Sequence, residues 1–446
     1  MGALLQTINF NHLTNWSVAH LLESQFNYNQ AYELVKIGDF LIRNRNRITI
    51  DDNTEYKRVT IRMNNNGITL RDRVMGKDIG TKKQFLIEKG QFLLSKIDAR
   101  NGAFGLATDE VDGAIITADF FAYEIDKTKI EPYFLVLMTT TKQFQKFAQG
   151  ASSGTTGRQR IDEKKFLDVK IPLPSLNKQK EIVEDYQSKI ALANRQEQEA
   201  KEKEKEIEGY LYRELGVTKT QKENSQLLEV VNFKELSSWS YRDIFGSFKI
   251  KSSKYEIVKL NKIILNISTG TTPPSNKKEY FAGNINFYTP SDIGEEIYLT
   301  NSHRYISQLA IKDKKARVFF KNTLLFVGIG STTGKVGILK NEFATSNQQI
   351  TGICIDSNFA VVDYVYYFLN LFKKYYLKDS LTSTIPIFNQ DKIKNINIIL
   401  PSKDMQKNIV EHLNNLTINI KKLKKQSQEN KILALQEFEK EIFNEA

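Results

Sequence analysis

Asn9-Phe10-Asn11-His12-Leu13-Thr14-Asn15-Trp16-Ser17 in the first half of the chain is answered by Asn232-Phe233-Lys234-Glu235-Leu236-Ser237-Ser238-Trp239-Ser240 in the second. The two phrases hold both tryptophans, at an offset of 239 − 16 = 223. The same offset relates Tyr32-Glu33-Leu34-Val35-Lys36 to Tyr255-Glu256-Ile257-Val258-Lys259, since 255 − 32 = 223. It has drifted only to 398 − 171 = 227 where Ile171-Pro172-Leu173-Pro174-Ser175, then Gln179 to Val183, return as Ile398-Ile399-Leu400-Pro401-Ser402, then Gln406 to Val410. Solenoid repeats run at about 20 to 50 residues. A period this long therefore makes each half one whole domain with its connector, and a duplicated domain suggests a ligand with two similar places to bind.

The chain has 446 residues, 40% of them apolar, enough for more than one core. A formal charge of +12 and an isoelectric point near 9.3 draw polyanions, with nucleic acid the leading candidate. Cys354 is the single cysteine, read as a small buried residue, so no internal disulfide forms and a reducing cytoplasm is expected. No apolar run approaches the eighteen or so residues of a membrane span, and no basic stretch leads into an apolar one at the amino terminus. Met1-Gly2 resembles the start of an acylation signal, but Gln6 stands where Ser or Thr is required.

Residues 32–170 contain short runs of mixed polarity broken by Gly, Asn and Asp, such as Arg58–Met63, Phe92–Ile97 and Gly113–Tyr123, which are strand-like. Pro132–Ala148 is expected to be helical, with Pro at its start and Tyr133, Leu137 and Phe144 near one face. Residues 255–397 repeat the style, with Ala316–Phe320, Thr323–Val327 and Val361–Tyr376 in corresponding roles. Each half is thus expected to be an α+β globule.

After each globule comes a proline, Pro174 or Pro401, and then about forty residues almost free of Gly and Pro. Helix is the natural reading. Three-then-four spacing marks a seam of Val183, Tyr186, Ile190, Ala193, Glu197, Ala200, Glu204, Ile207 and Leu211. The second segment gives Ile409, Leu413, Leu416, Ile420 and Leu423, then polar Ser427 and Asn430, then Ala434 and Phe438. A single apolar stripe in water needs a partner, so the helices are expected to pack on one another. If they run antiparallel, the globules lie at opposite ends of a spacer of roughly 60 Å at about 1.5 Å per residue. Lys201–Glu206 could then face Lys421–Lys425, although surface ion pairs contribute little. The division expected is a first globule over 1–170, a first long helix over 171–215, a second globule over 216–397 and a second long helix over 398–446.

Several phrases resemble the specificity subunits of type I restriction-modification systems. Ser268–Ser275 and Phe287–Ile293 look like that family's glycine-threonine-proline turn and its threonine-proline-serine-aspartate segment. Leu94–Gly105 and Asp112–Asp119 look like another branch of the same domains, and the two proline-containing phrases followed by Gln and Ile-Val resemble the passage from such a domain into its spacer. The resemblance covers nearly the whole chain. It implies two target recognition domains on a long antiparallel two-helix coiled coil, reading the two parts of a split double-stranded DNA target and docking two methyltransferase subunits, with restriction subunits joining through the complex. It implies no catalytic residue, metal or cofactor of its own. Arg43–Arg47 has no counterpart after Leu260, so the two half-sites are expected to differ.

Base reading uses Arg for guanine and Asn or Gln for adenine, offered from polar loops. In the first half Arg43, Asn44, Arg45, Arg47, Lys96, Arg100, Asn101, Ser152, Ser153, Thr155, Thr156, Arg158, Gln159 and Arg160 are the candidates; in the second, Thr271, Thr272, Ser291, Ser331, Thr332, Thr333, Lys335, Asn347 and Gln348. Ser152–Arg160 precedes the helix boundary, and its basic residues could equally hold phosphate, which positions without specifying. Gly328–Val336 departs from a phosphate loop in spacing, in Ile329 and in Val336, and the four histidines show no metal spacing. Neither an Asn/Asp-Pro-Pro-aromatic segment nor a glycine-rich cofactor turn is present, so the chain is not expected to methylate alone. The competing readings are a nuclease with an unrecognised metal site, an interaction scaffold without a DNA role, and a specificity subunit serving a fused methyltransferase-nuclease.

Overall fold

A computed structural model describes residues 28–63, 66–144, 152–153, 160–217, 250–294, 296–377 and 387–443. The tryptophan phrases at 9–17 and 232–240 lie outside the described residues. The chain divides into two compact units, Met1–Glu197 with Lys425–Ala446, and Gln198–Lys424.

In the first unit an antiparallel four-stranded sheet runs in the order Leu41–Arg43, Phe120–Ile125, Phe92–Ser95, Phe104–Leu106. A five-stranded sheet follows the order Arg47–Thr49, Lys83–Leu86, Ile115–Ile116, Glu55–Ile61, Ile68–Met75. The apolar run Phe92-Leu93-Leu94 is a strand buried on both faces. Phe92 and Leu94 enter a core with Phe104, Tyr123 and Phe134, while Leu93 enters another with Val59 and Ile61. Side chains alternate across a strand, which sends neighbours to different cores. The second unit repeats the device in its five-stranded sheet, where Leu324 and Phe326 of the strand Leu324–Val327 face one core and Leu325 and Val327 another. The expected helix over 132–148 is observed over Pro132–Thr140, capped by the Glu131 side chain; Leu137 and Phe144 are buried, but Tyr133 is 52% exposed.

The repeated phrases occupy the places where the chain enters and leaves each globule. Glu33–Lys36 pairs antiparallel with Lys170–Leu173, placing Val35 opposite Ile171. Ile257–Lys259 pairs with Asn397–Ile399 in the same way, placing Val258 opposite Ile398. Gln179 is fully buried: its Nε2 donates to Pro174 O (2.8 Å) and Lys129 O (3.2 Å), and its Oε1 accepts from Glu131 N (2.8 Å). Gln406, also fully buried, donates to Pro401 O (2.9 Å) and Phe359 O (3.3 Å) and accepts from Val361 N (2.8 Å). One carboxamide therefore ties the start of each long helix to the start of the helix inside its globule. Such duplicated geometry explains why these phrases are the ones the two halves still share.

The first long helix runs Leu176–Glu214 and the second Lys403–Ile442. The first begins later than residue 171 because Lys170–Leu173 is a strand of the ribbon. The helices are antiparallel in each unit. In the first, Lys189 meets Glu437 (2.7 Å), Asn430 donates to Gln196 (2.9 Å) and Lys431 meets Glu197 (2.7 Å), so the paired numbers sum to 626, 626 and 628. In the second, Lys424 meets Glu204 (2.6 Å) and the Tyr210 and His412 rings stack at 4.0 Å, with sums of 628 and 622. The two charged lapses in the heptad seam, Glu197 and Glu204, are thus each met by a lysine. Val183 joins Phe438 in the first unit's core, with Tyr186 packed against it; Leu211, Ile409 and Leu413 join the second unit's core, with Ile207 beside them. Leu416 and Ile420 are buried, and Ile190 and Leu423 half-buried. The seam also holds buried Ala193, Ser427 and Ala434 in the first unit and buried Ala200 in the second, small residues that let helix backbones approach.

Candidate nucleic-acid interface

Two loops in the two units are built alike. In the first, Lys96 N donates to Asp119 O (2.9 Å) and Ile161 N to Lys96 O (2.8 Å). In the second, Gly328 N donates to Gln349 O (2.8 Å) and Phe388 N to Gly328 O (2.7 Å). Gly102 (φ +75°) and Gly334 (φ +84°) end the loops in the left-handed region, and both spacings are the same, 328 − 96 = 232 and 334 − 102 = 232. At that offset Arg100 and Asn101 correspond to Thr332 and Thr333, Lys96 corresponds to Gly328 and Ser331 to Ala99, and Lys335 follows the glycine that ends its loop.

Around these loops the side chains differ. In the first unit the Phe121 ring lies under two cations, with Arg43 Cζ 4.0 Å and Lys96 Nζ 4.2 Å from its centroid. Arg43 sits 3.7 Å from Glu163, which also accepts from Tyr123 OH (3.3 Å), and Arg160 pairs with Asp119 at 3.1 Å. Burial and the neighbouring Arg43 push the Lys96 ammonium below the ordinary lysine value, against the pull of Asp119 and Glu163. Arg43 Nη1 is buried without a hydrogen-bond partner among the described residues. Arg45 is exposed, Arg47 Cζ lies 5.5 Å from the Phe85 ring, and Asn101 reaches Met63 Sδ at 3.8 Å. Asn44 is committed to the fold: Nδ2 donates to Leu86 O and Gln91 Oε1, and Oδ1 accepts from Asn46 N. Arg100 lies in the turn Ala99–Asn101, and Ser152–Ser153 pairs with Arg160–Ile161. Thr155, Thr156, Arg158 and Gln159 lie outside the described residues.

In the second unit the loop borders an open cleft of about 450 Å³, where Ser291, Ser331, Thr332 and Asn347 come together with Thr289, Arg304 and Gln349. Thr271 braces a neighbouring loop, donating to Lys315 O (3.1 Å) and accepting from Arg317 N (2.9 Å). Thr272 hydrogen-bonds Gln348. Thr333 is buried and donates to Gly330 O (2.6 Å), so it shapes the loop from within. Lys335 is half-buried; burial and its charge push neighbouring Lys373 below the ordinary lysine value.

Asp292 organises the cleft wall. Its Oδ2 accepts from Thr289 N (2.7 Å) and Thr289 Oγ1 (2.7 Å), and its Oδ1 accepts from His303 N (2.9 Å). The side chain is 1% exposed. Burial disfavours the carboxylate, but the hydrogen bonds from Thr289 and His303 outweigh it and hold the group below the usual carboxylate range. Sequence reasoning passed over Arg304 and Gln349. No short-range pattern marks Arg304, because its position depends on a contact between residues 292 and 303.

Equivalent loops on duplicated α+β units, differing in the side chains they present, define a modular recognition protein. The sequence profile of the type I restriction modification DNA specificity domain matches residues 29–203 and 252–433, and the chain belongs to that family. Its specificity subunits are noncatalytic. The chain is 35% identical over 188 residues to the type I restriction enzyme MjaIX specificity subunit of Methanocaldococcus jannaschii; the match covers 41% of this chain and 42% of that relative's length. A solved structure from a study of complex assembly and conformational transition of the type I R-M system is 15% identical, with a TM-score of 0.58 over 94% of this chain and 99% of that one. The type I restriction-modification S subunit of M. genitalium is 13% identical, with a TM-score of 0.50 over 94% and 98%. Both show the same fold. Among the described residues, no helix is long and apolar enough to cross a membrane.

Proposed function

We propose that the chain is the DNA-reading subunit of a type I restriction-modification complex in the cytoplasm. Residues 1–170 and 216–397 each read one part of a bipartite, asymmetric target, and the spacers 171–215 and 398–446 dock two methyltransferase subunits and set the unread gap; restriction subunits join through the complex. The observation that carries this reading is the pair of equivalent loops with unlike chemistry. Arg43 and Lys96 lie over Phe121 in one unit, with the Asp119–Arg160 ion pair acting on Lys96, and neutral hydroxyls and amides gather beside Arg304 in the other. Two sites of one architecture and different donors suit two different short sequences. Arg45, Arg47, Lys96, Arg160, Thr272, Ser291, Ser331, Thr332 and Gln348 are the described candidates proposed to face DNA, Thr272 and Gln348 as a hydrogen-bonded pair and Arg160 from its ion pair with Asp119, while Asn44, Thr271 and Thr333 support the loops that carry them.

The test is to produce the chain with its methyltransferase subunit in a host lacking adenine methylation and to sequence the methylated genome. A split motif with unlike halves is expected. A single uninterrupted motif, or no sequence preference, would end the proposal.

A further inference from the structure

The cleft in the second unit offers donors, and backbone geometry fixes which atoms do so. Gln349 N donates to Asn347 Oδ1 (3.1 Å); a backbone N–H can only donate, so the other end of the Asn347 side chain is its amide nitrogen, Nδ2. Asn347 Nδ2 donates to Gln349 Oε1 (2.9 Å), so Gln349 turns its Nε2 away from Asn347. The Nε2 lies beside Gly330 on the cleft rim, 3.6 Å from where a Cβ would stand. Gln349 therefore presents two N–H groups, with its oxygen already engaged.

Arg304 is the charged side chain lining this cleft, and among the described residues no acid pairs with it. Its backbone is held firmly: Arg304 O accepts from Phe287 N (2.9 Å) and Ser302 Oγ (2.6 Å), and the preceding His303 N is held by Asp292. The guanidinium lies about 6 Å from the Phe287 and Phe281 rings, at 5.9 and 6.0 Å. A planar donor fork on a rigid turn, next to a donor-only amide, suits a base edge made of acceptors. In the major groove guanine offers N7 and O6, both acceptors; adenine demands a donor and an acceptor together, and cytosine offers a donor.

We propose that Arg304 and Gln349 read a guanine in the half-site of the second unit, Arg304 donating to N7 and O6 and Gln349 Nε2 donating to an acceptor beside them. Asn347 and Asp292 are positioning residues that set the two donors. This inference rests on the DNA-reading function proposed above.

The same methylome assay tests it with three variants of the full chain. Wild type is expected to require guanine at one position in the half-site that exchange of residues 9–170 leaves unchanged. Arg304→Ala should relax that single position by roughly 5- to 150-fold while every other motif position stays fixed. Arg304→Lys should relax it in part. Gln349→Glu, which keeps the Asn347 bond but replaces the outward donor with an acceptor, should lower the guanine preference by about tenfold. Thermal melting of each variant confirms folding. An Arg304→Ala protein whose methylation weakens equally at all sites, whose motif is unaltered, or which loses methylation altogether overturns the guanine assignment in favour of a phosphate or scaffold role. A wild-type protein with no split motif overturns the function beneath it, so the two failures are told apart.

Discussion

Replacing Gln406 with Met removes a carboxamide while nearly keeping its volume. Three partners lose it at once: Val361 N–H, Pro401 C=O and Phe359 C=O, at 2.8, 2.9 and 3.3 Å, around a side chain with no exposed surface. A buried group stripped of its partner costs about 1–3 kcal/mol, and an ordinary hydrogen bond contributes about 1 kcal/mol net. The Val361 N–H is the worst placed, since it begins the helix Val362–Leu371 and has no intrahelical acceptor. One fully orphaned donor and two weakened carbonyls give about 3 kcal/mol, which lowers the melting temperature of a unit this size by roughly 6–12 °C. Calorimetry and urea titration of the full chain read the change. The duplicated Gln179→Met should behave alike, and the double variant should be additive because the two glutamines share no partner. A loss below about 0.5 kcal/mol with an unchanged denaturant slope would refute the view that this carboxamide fastens the helix to the globule.

Asp292→Asn places an amide donor where two or more donors already converge, and should cost about 2–4 kcal/mol in urea unfolding at neutral pH. Because the folded carboxyl titrates below the ordinary value, its stabilisation is full above the unfolded value near 4 and is lost as pH falls through the folded one; the gap between wild type and Asp292→Asn should close on acidification. Glu204→Lys, opposite Lys424 on the helix surface, should cost less than about 1 kcal/mol and fade in salt, whereas Ala193→Glu, at a fully buried seam position, should cost more than about 2 kcal/mol; equal effects would contradict the seam assignment. Inserting one heptad into both long helices should widen the unread gap of the methylated motif, and an unchanged gap would mean that the helices are not the ruler.

Much of the fold was legible because its signals are local. The runs Phe92–Ile97 and Thr323–Val327 announced strands, and the heptad spacing of Val183, Leu211, Ile409 and Leu413 announced the helix pair. Ser331, Thr332 and Asn347 were legible as polar loop residues, and the cleft gathers them. Thr333 and Asn44 share that composition yet serve the fold, because hydroxyls and amides look the same in sequence whether they face a ligand or a carbonyl. Arg304 escaped notice because an isolated arginine near a histidine carries no pattern.

The duplication, the α+β character and the two long amphipathic helices follow from periodicity and repetition along the chain. That the repeated phrases meet as paired strands and a buried glutamine lock, and which end of Gln349 points outward, is set by folding in three dimensions. The strand pairing and the glutamine lock turn on hydrogen bonds between residues far apart in the chain, as from Val361 N to Gln406 Oε1, whereas the outward end of Gln349 turns on side-chain geometry between Asn347 and Gln349 that residue order alone does not encode.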